Sequence, residues 1–330
     1  MALLLAIESS CDETSAAVLR DGKILSNIIS SQPGHALYGG VIPELASRLH
    51  QQQIVRVVEE ALEKALITKK ELNAVAFTRG PGLMGALIVG ISFAKSFAWA
   101  LGIPLIEIDH MEAHVMANFL EKNPPEYPFL CLTVSGGHTQ LVHCTAPLEM
   151  EIIGQTTDDA AGEAFDKAAK LLGFPYPGGP FIDKHAQNGN AKAFSFTRPA
   201  IPGFDFSFSG IKTQFLYLLR DKIAENPDFV KENLDDLCAA WQRRIVTILI
   251  HKTLAAGREL KVKHIALAGG VAANSGLRKA FFEMCDSQNW SAHVPSFEYC
   301  TDNAGMIAIA GYYKYLKNEF CGLDVMPFVN

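Results

Sequence analysis

The sequence predicts an α/β protein built from two halves, each running strand, strand, strand, helix, strand, helix, strand, helix. Three observations carry this prediction. Short apolar runs alternate with longer amphipathic ones. The same order of elements returns after the middle of the chain. The doubled three-strand meander is at odds with the all-parallel sheet of a dinucleotide-binding fold. The 330 residues suit about two domains. With 49% hydrophobic and 19% charged residues, the chain can bury a sizeable core and does not read as disordered.

In the first half, strands are expected at residues 3–7, 15–20 and 23–30, with Asp21-Gly22 as a tight hairpin between the last two. A helix over 43–66 follows, with Pro43 in the first turn where proline is tolerated. Then come a strand at 74–78, a helix over 83–101 stopped by Gly102, a strand at 104–108 and a short helix through 110–120. After the loop 122–128, strands are expected at 129–134, 139–144 and 150–154. The helix over 158–172 has Thr156 and Thr157 as candidate caps, acids in its first turn and Gly173 just past its end. A stretch rich in Pro, Gly and Phe interrupts at 174–209. Helices at 210–224 and 229–257, a strand at 264–268, a helix at 275–286, a strand at 291–295 and a last helix from Asp302 complete the order.

The expected division is 1–125 and 126–330, with the insertion near 174–209 in the second half and the last helix available to pack back on the first. This doubled order matches the actin-like, ribonuclease-H-like superfold of sugar kinases and heat-shock ATPases, whose two halves close on a nucleotide in the cleft between them. Element order of this kind raises an expectation of fold and leaves activity to the site residues.

The formal net charge of −6 disfavours a free-standing nucleic-acid binder, while leaving room for a local basic strip. Seven scattered cysteines, none in a CxxC spacing, read as reduced thiols of a cytosolic protein. The apolar run 3–7 lacks a basic flank and meets acids at once, so no signal peptide is expected. The longest apolar stretch, 82–94, is broken by Lys95 and falls short of the roughly 20 residues of a bilayer span. No membrane segment is expected.

The chemistry begins with His110 and His114. At about 100° per residue, positions i and i+4 lie about 40° apart on one helix face, where two imidazoles can hold one metal ion. The bland alternative is a pair of surface or capping histidines. Two histidines at this spacing also occur in HExxH peptidases, but there the glutamate follows the first histidine. Here Glu112 stands at i+2, about 180° from the midline of the pair, and points away from any shared ion. A third ligand must come from elsewhere. Asp302 is the best candidate, its alternative being an acid that serves only the helix dipole.

Two glycine-rich turns follow. Thr133-Val134-Ser135-Gly136-Gly137 lies between two apolar strands, where its backbone amides can approach an anion closely; an ordinary hairpin is the alternative. Residues 268–275 run from a strand end through Gly269-Gly270 to a helix start, a suitable place for a nucleotide, with Asn274 either a ligand contact or simply the N-cap. Asp166 with Lys170, and Glu163 with Lys167, have the spacing of solvated helix pairs. Residues 177–180 form a turn containing Gly179, with Asp183 just beyond. The opening turn from Glu8 through Asp12 and Glu13 gathers three acids that can handle protons or metal, or form a polar hairpin and nothing more.

Taken in order, these motifs resemble one family: the bacterial tRNA N6-adenosine threonylcarbamoyltransferases, once described as O-sialoglycoprotein endopeptidases. The resemblance runs over essentially the whole chain, through IESSCDET, HMEAHV, TVSGGHTQL, GEAFDKAAKLLG, YPGGP, FSFSGIKT, AGGVAANSGLR and CTDNAGMIA. It implies the actin-like fold and a divalent metal on His110, His114 and Asp302, with iron(II) favoured over zinc. It implies donor phosphate held by the backbone of Thr133, Val134, Ser135, Gly136 and Gly137, and the donor's nucleotide part held by Asp166, Gly179, Asp183 and Asn274. The implied reaction moves a threonylcarbamoyl group from threonylcarbamoyl-AMP to N6 of the adenosine 3′ of the anticodon, in tRNAs reading codons that begin with A. Asp12 and Glu13 are the candidates for proton acceptor. The implied partners are tRNA, an inactive paralogue of the same fold and a P-loop ATPase. Arg243, Arg244, Lys261, Lys263, Arg278 and Lys279 are contributors to weigh for tRNA contact, against the alternative of solvated helix faces. Two other classes compete: a metallopeptidase acting on glycoproteins, and a non-catalytic nucleotide-binding scaffold, which should lack the metal ligands.

Overall fold

The computed structural model describes residues 2–329. In chain order the elements are β1 (Leu3–Glu8), β2 (Glu13–Arg20), β3 (Lys23–Ser31), α1 (Pro43–Lys64), β4 (Ala74–Gly80), α2 (Met84–Leu101), β5 (Leu105–Asp109), α3 (His110–Met116), β6 (Phe129–Val134), β7 (Thr139–Ala146), β8 (Glu149–Gln155), α4 (Ala161–Leu171), α5 (Gly179–Ala186), α6 (Ser209–Glu225), α7 (Phe229–Glu232), α8 (Leu234–Leu260), β9 (His264–Ala268), α9 (Ser275–Gln288), β10 (Ser291–His293) and α10 (Ala304–Leu316). The chain forms two compact units. One holds Met1–Pro124 and Pro295–Asn330, the other Pro125–Val294.

Each unit carries a five-stranded sheet, and the two sheets have one topology. The first runs β3-β2-β1-β4-β5, and the second, read from its other edge, β8-β7-β6-β9-β10. In both, the first two pairings are antiparallel and the last two parallel. The central strands β1 and β6 are buried along their whole length. That is why they read as unbroken apolar runs and not as alternating ones.

In the first unit, Leu3, Leu5 and Ile7 of β1 pack with Val75 and Phe77 of β4 and with Ile54, Val57 and Val58 of α1. Helix α2 is, among the described residues, the one helix whose length and apolarity would suffice to cross a bilayer. It continues past Lys95, whose ammonium donates to the carbonyl of Val325, and it buries Ala86, Leu87, Ile91, Ala94 and Ala98. It therefore packs as a core-facing helix. Gly102 ends it in the left-handed conformation, as a C-terminal glycine does. Helix α10 lies on the same sheet. Its residues from Ala304 to Gly311 are all buried, and a Cβ at Gly311 would come within 2.7 Å of the Ala76 methyl. Small residues let this helix sit close to the strands.

The second unit departs from expectation in three places. Helix α4 starts at Ala161, not 158, and neither Thr156 nor Thr157 caps it. The Thr156 hydroxyl donates to the carbonyl of Asp159 and the Thr157 hydroxyl to that of Phe206. Asp158 accepts from Ser207, Ser209 and the Phe208 amide, and Asp159 from Lys167 and Lys212. These groups hold down the inserted stretch instead of opening a helix. The insertion contains its own helix, α5, whose start at Gly179-Pro180 follows the N-terminal proline rule. The helix expected over 229–257 breaks at Asn233 into α7 and α8.

Candidate functional site

The first unit brings the histidine pair to the end of a buried strand. Asp109, the last residue of β5, caps α3 by accepting from the amides of Met111 and Glu112 at 2.8 and 3.0 Å. This cap starts the helix at His110, so that His110 and His114 share one face, with ring centroids 4.7 Å apart. Asp302 does not lie in the last helix. It precedes the N-cap Asn303, whose side chain accepts from the Met306 amide. Nor does it serve the helix dipole: its Oδ1 lies 3.4 Å from His110 Nε2 and 3.2 Å from His114 Nε2. The start of α10 is fixed from the sheet, since Ser15 Oγ accepts from the Ala304 amide and Asn27 Oδ1 from the Gly305 amide.

One ligand atom from each of His110, His114 and Asp302 can be chosen so that all lie within 4.8 Å of one another. Two imidazoles and a carboxylate at this spacing suit iron(II) or zinc. The surroundings fit a cation as well. His114 is completely buried, yet neither ring nitrogen makes a hydrogen bond; Asp302 Oδ1 is near Nε2 but lacks the alignment of one. A buried imidazole left in this way is an unusual expense for a metal-free site.

Glu8, buried at the end of β1, is the acid of the opening turn whose partner, His110, sequence reasoning did not find. Its Oε2 lies 3.1 Å from His110 Nδ1, with Ser10 Oγ at 3.2 Å from the same nitrogen. A proton on Nδ1 directed at this carboxylate leaves Nε2 as the lone-pair face toward Asp302 and His114, the arrangement in which a second carboxylate fixes a ligand's tautomer. The Thr78 hydroxyl and the Ser10 amide donate to Glu8 in turn. Burial alone would push His110 down, but Asp302 and Glu8 outweigh it and hold its pKa well above the ordinary value. Burial likewise opposes ionisation of Asp302 and Glu8, and the histidines beside them reverse this and hold both carboxyls down.

The opening turn closes over this cluster. His50 of α1, fully buried, pins it by pairing Nδ1 with the Thr14 hydroxyl at 2.7 Å and Nε2 with the Cys11 carbonyl at 2.9 Å. Asp12 and Glu13 are half-buried in the turn. Glu13 is pushed up to about 9, first by burial and then by the charges of Asp302 and Asp12. Four carboxyl groups (Glu8, Asp12, Glu13 and Asp302) thus gather beside the histidine pair. Glu112 belongs elsewhere: burial and Asp109 raise its pKa, Lys314 opposes them, and it is not in the converging set.

The second unit collects the remaining predicted residues. Thr133 and Val134 are buried in β6 and paired with β7, and Thr133 pairs with β9 as well. The Ser135 amide donates to the His138 carbonyl and the His138 amide to Ser135 Oγ, closing a tight hairpin. Gly136 and Gly137 are exposed at its tip, and a Cβ on either would meet nothing within 4 Å. Gly269, at the end of β9, has φ +86° and approaches so closely that a Cβ would lie 2.4 Å from the Val134 carbonyl oxygen. The two glycine turns therefore abut at the carboxyl ends of adjacent parallel strands, the usual ligand edge of an α/β sheet.

Asp166, Gly179, Asp183 and Asn274 form one connected run. Asp166 Oδ1 accepts from the amides of Gly178 and Gly179 at the start of α5. Asp183 accepts from both the amide and hydroxyl of Ser275 at the start of α9. Asn274 caps α9 through Leu277 and donates to Gln242 of α8, so both ends of its amide are engaged. The N-cap alternative is therefore realised for Asn274.

The fold and site together define an α/β protein of the actin-like fold with a buried His-His-Asp cluster. HypF from T. kodakarensis aligns with TM-score 0.67 at 16% identity, over 98% of this chain and 49% of that one. The (R)-2-hydroxyglutaryl-CoA dehydratase component A of Acidaminococcus fermentans aligns with TM-score 0.55 at 17% identity, over 96% and 100%. Both likenesses concern the fold alone. The family model for TsaD, tRNA N6-adenosine threonylcarbamoyltransferase, matches residues 23–309. Proteins carrying that enzyme name are 56% identical in Porphyromonas gingivalis, over 99% of this chain and 97% of the relative, and 57% identical in Christiangramia forsetii, over 98% and 96%. The chain belongs to the tRNA N6-adenosine threonylcarbamoyltransferase family.

Proposed function

We propose that this chain transfers the threonylcarbamoyl group of threonylcarbamoyl-AMP to N6 of the adenosine 3′ of the anticodon, in tRNAs reading codons that begin with A. The observation that carries the proposal is the convergence of His110, His114 and Asp302 in a chain so similar to proteins of that name. His110, His114 and Asp302 would hold one divalent ion, iron(II) favoured over zinc, with Glu8 keeping His110 in the ligating tautomer. When bound, such an ion supplies Lewis-acid chemistry, a fixed positive charge for anionic oxygens of the donor.

The chain's own groups do the rest. Amides of Gly136 and Gly137, exposed at the hairpin tip, would bind the donor's phosphate and the charge that grows on AMP as it leaves. Asp166, Gly179, Asp183 and Asn274 shape the starts of α5 and α9, on which the nucleotide part would rest. In the transfer, the N6 nitrogen bonds to the carbamoyl carbon, the bond from that carbon to the phosphate oxygen breaks, and AMP departs with the electron pair. A weak amine nucleophile mainly needs positioning. Its proton would pass to the opening turn, where Asp12 and Glu13 are the candidate acceptors.

A paralogue of the same fold and a P-loop ATPase are the proposed protein partners. Support for the first is an apolar strip on α2, where Met84, Ile88 and Trp99, within about 60° of one another, are 43%, 47% and 75% exposed. The cysteines, none of which forms a disulfide among the described residues, support a reducing, cytoplasmic compartment. A metallopeptidase finds no support, since Glu112 is not in the set that converges with His110, His114 and Asp302. The test is to incubate the protein and these partners with threonylcarbamoyl-AMP and unmodified tRNA, then digest the tRNA to nucleosides. Threonylcarbamoyl-adenosine is the expected product; its absence, with the donor intact, would refute the proposal.

A further inference from the structure

The second unit carries a cluster of cations that the site does not use. On α8, residues 237–258 contain no Asp or Glu, and neither do residues 188–204 of the inserted stretch packed beside it. Arg243, Arg244 and His251 lie within roughly 100° of one another around α8. Arg198, from the insertion, reaches this face and places Nη2 2.7 Å from His251 Nδ1. Lys252 shapes the support, donating to the carbonyls of Ile201 and Gly203 at 2.7 and 2.6 Å and so holding the segment that presents Arg198. Arg243 and Arg198 are exposed and Arg244 half-buried, and none of the three pairs with a carboxylate among the described residues. Burial lowers the pKa of Arg244, and Arg243 and Arg198 lower it further; burial, Arg198 and Lys252 do the same to His251. The guanidinium groups thus stand together without counter-charge, in a chain whose net charge is −6.

We propose that Arg198, Arg243 and Arg244 form a docking surface for the phosphate backbone of the tRNA substrate. The inference rests on the function proposed above, which requires a polyanionic RNA to be held by an acidic protein. Guanidinium forks match phosphate oxygens, and an acid-free face offers them no competing partner. Arg198 extends the set beyond what helix spacing picks out, because the insertion brings it to α8 from a distance in sequence.

The experiment measures binding of unmodified tRNA to the full chain across a salt series, for wild type and for R198Q/R243Q/R244Q. The variant is expected to bind at least about 10-fold more weakly, with a salt slope shallower by about two to three, roughly one per lost phosphate contact. The lysine triple variant R198K/R243K/R244K should recover most of the affinity, which a folding defect would not allow, and K69Q/K70Q in the other unit should bind as wild type. Equal affinity and slope in the glutamine variant and wild type would overturn the proposal. So would a loss confined to anionic vesicles or to an acidic protein, with tRNA binding intact. Product formation by wild type is followed in the same samples. Product with unaltered variant binding removes the docking surface alone, whereas no product from wild type removes the underlying function.

Discussion

The hairpin between β1 and β2 and the hairpin between β6 and β7 occupy the same place in two sheets of one topology, yet their chemistry is opposite. The first, after Glu8, gathers carboxyl groups around a buried pair of imidazoles. The second, after Val134, is a glycine turn whose exposed tip offers backbone amides and no side chain. The repeated topology delivers a loop to the carboxyl end of a central strand; the residues in the loop decide which sign of charge it receives. The first suits a cation and the second an anion, the two roles proposed for them above.

The strongest way to break this comparison is His114→Ala. It removes a proposed ligand from the acidic side and should lower the transfer rate by more than about 100-fold, beyond the 10–100-fold typical of an outer partner's loss. A rate within a few-fold of wild type would show that the cluster plays no part in turnover. Glu8→Gln keeps the shape but weakens the grip on His110 Nδ1. Metal affinity, read by chelator competition, should fall by about 10–100-fold, and an unchanged affinity would strip Glu8 of its positioning role.

On the anionic side, two glycines separate backbone need from ligand need. Gly269→Ala should destabilise the chain by about 2 kcal/mol or more, because a left-handed φ and the Val134 carbonyl both oppose a Cβ. Gly137→Ala should alter stability by less than about 0.5 kcal/mol, while raising the KM for the donor. Denaturant melts and donor titrations decide, and equal stability loss in the two variants would erase the distinction.

The smallest expected effect is in pH. The raised pKa of His110 means a contribution fully present below about pH 6.5 and lost as pH rises through the folded value. The depressed values of Asp302 and Glu8 mean a contribution present above about pH 4.5 and lost on acidification. Glu13, at about 9, subtracts stability progressively from its unfolded value near 4.5 up to that pH. Metal-free protein should therefore melt highest between about pH 4.5 and 6.5. Loaded protein should move to neutral pH or above, since the ion requires His110 Nε2 unprotonated. Coincident optima would contradict the charge assignment.

Much of this was legible in the sequence. Periodicity located all ten strands to within a few residues, and the i,i+4 spacing of His110 and His114 oriented both rings and turned Glu112 aside. The rest depended on long-range contact. Nothing local tells that Glu8 will meet His110 across 102 positions, or that Asp302 will stand before its helix and not within it. The acids 158 and 159 looked like a helix start because their partners, Ser207 and Lys212, lie about 50 residues away. The N-cap role of Asn274 was legible, but not its bond to Gln242, 32 positions away.

The most direct measurement is the metal content of the purified chain, prepared without oxygen or chelator, in wild type and in Asp302→Ala. The account predicts about one iron or zinc per wild-type chain and close to none in the variant. Equal metal in both, or none in an active wild type, would contradict it.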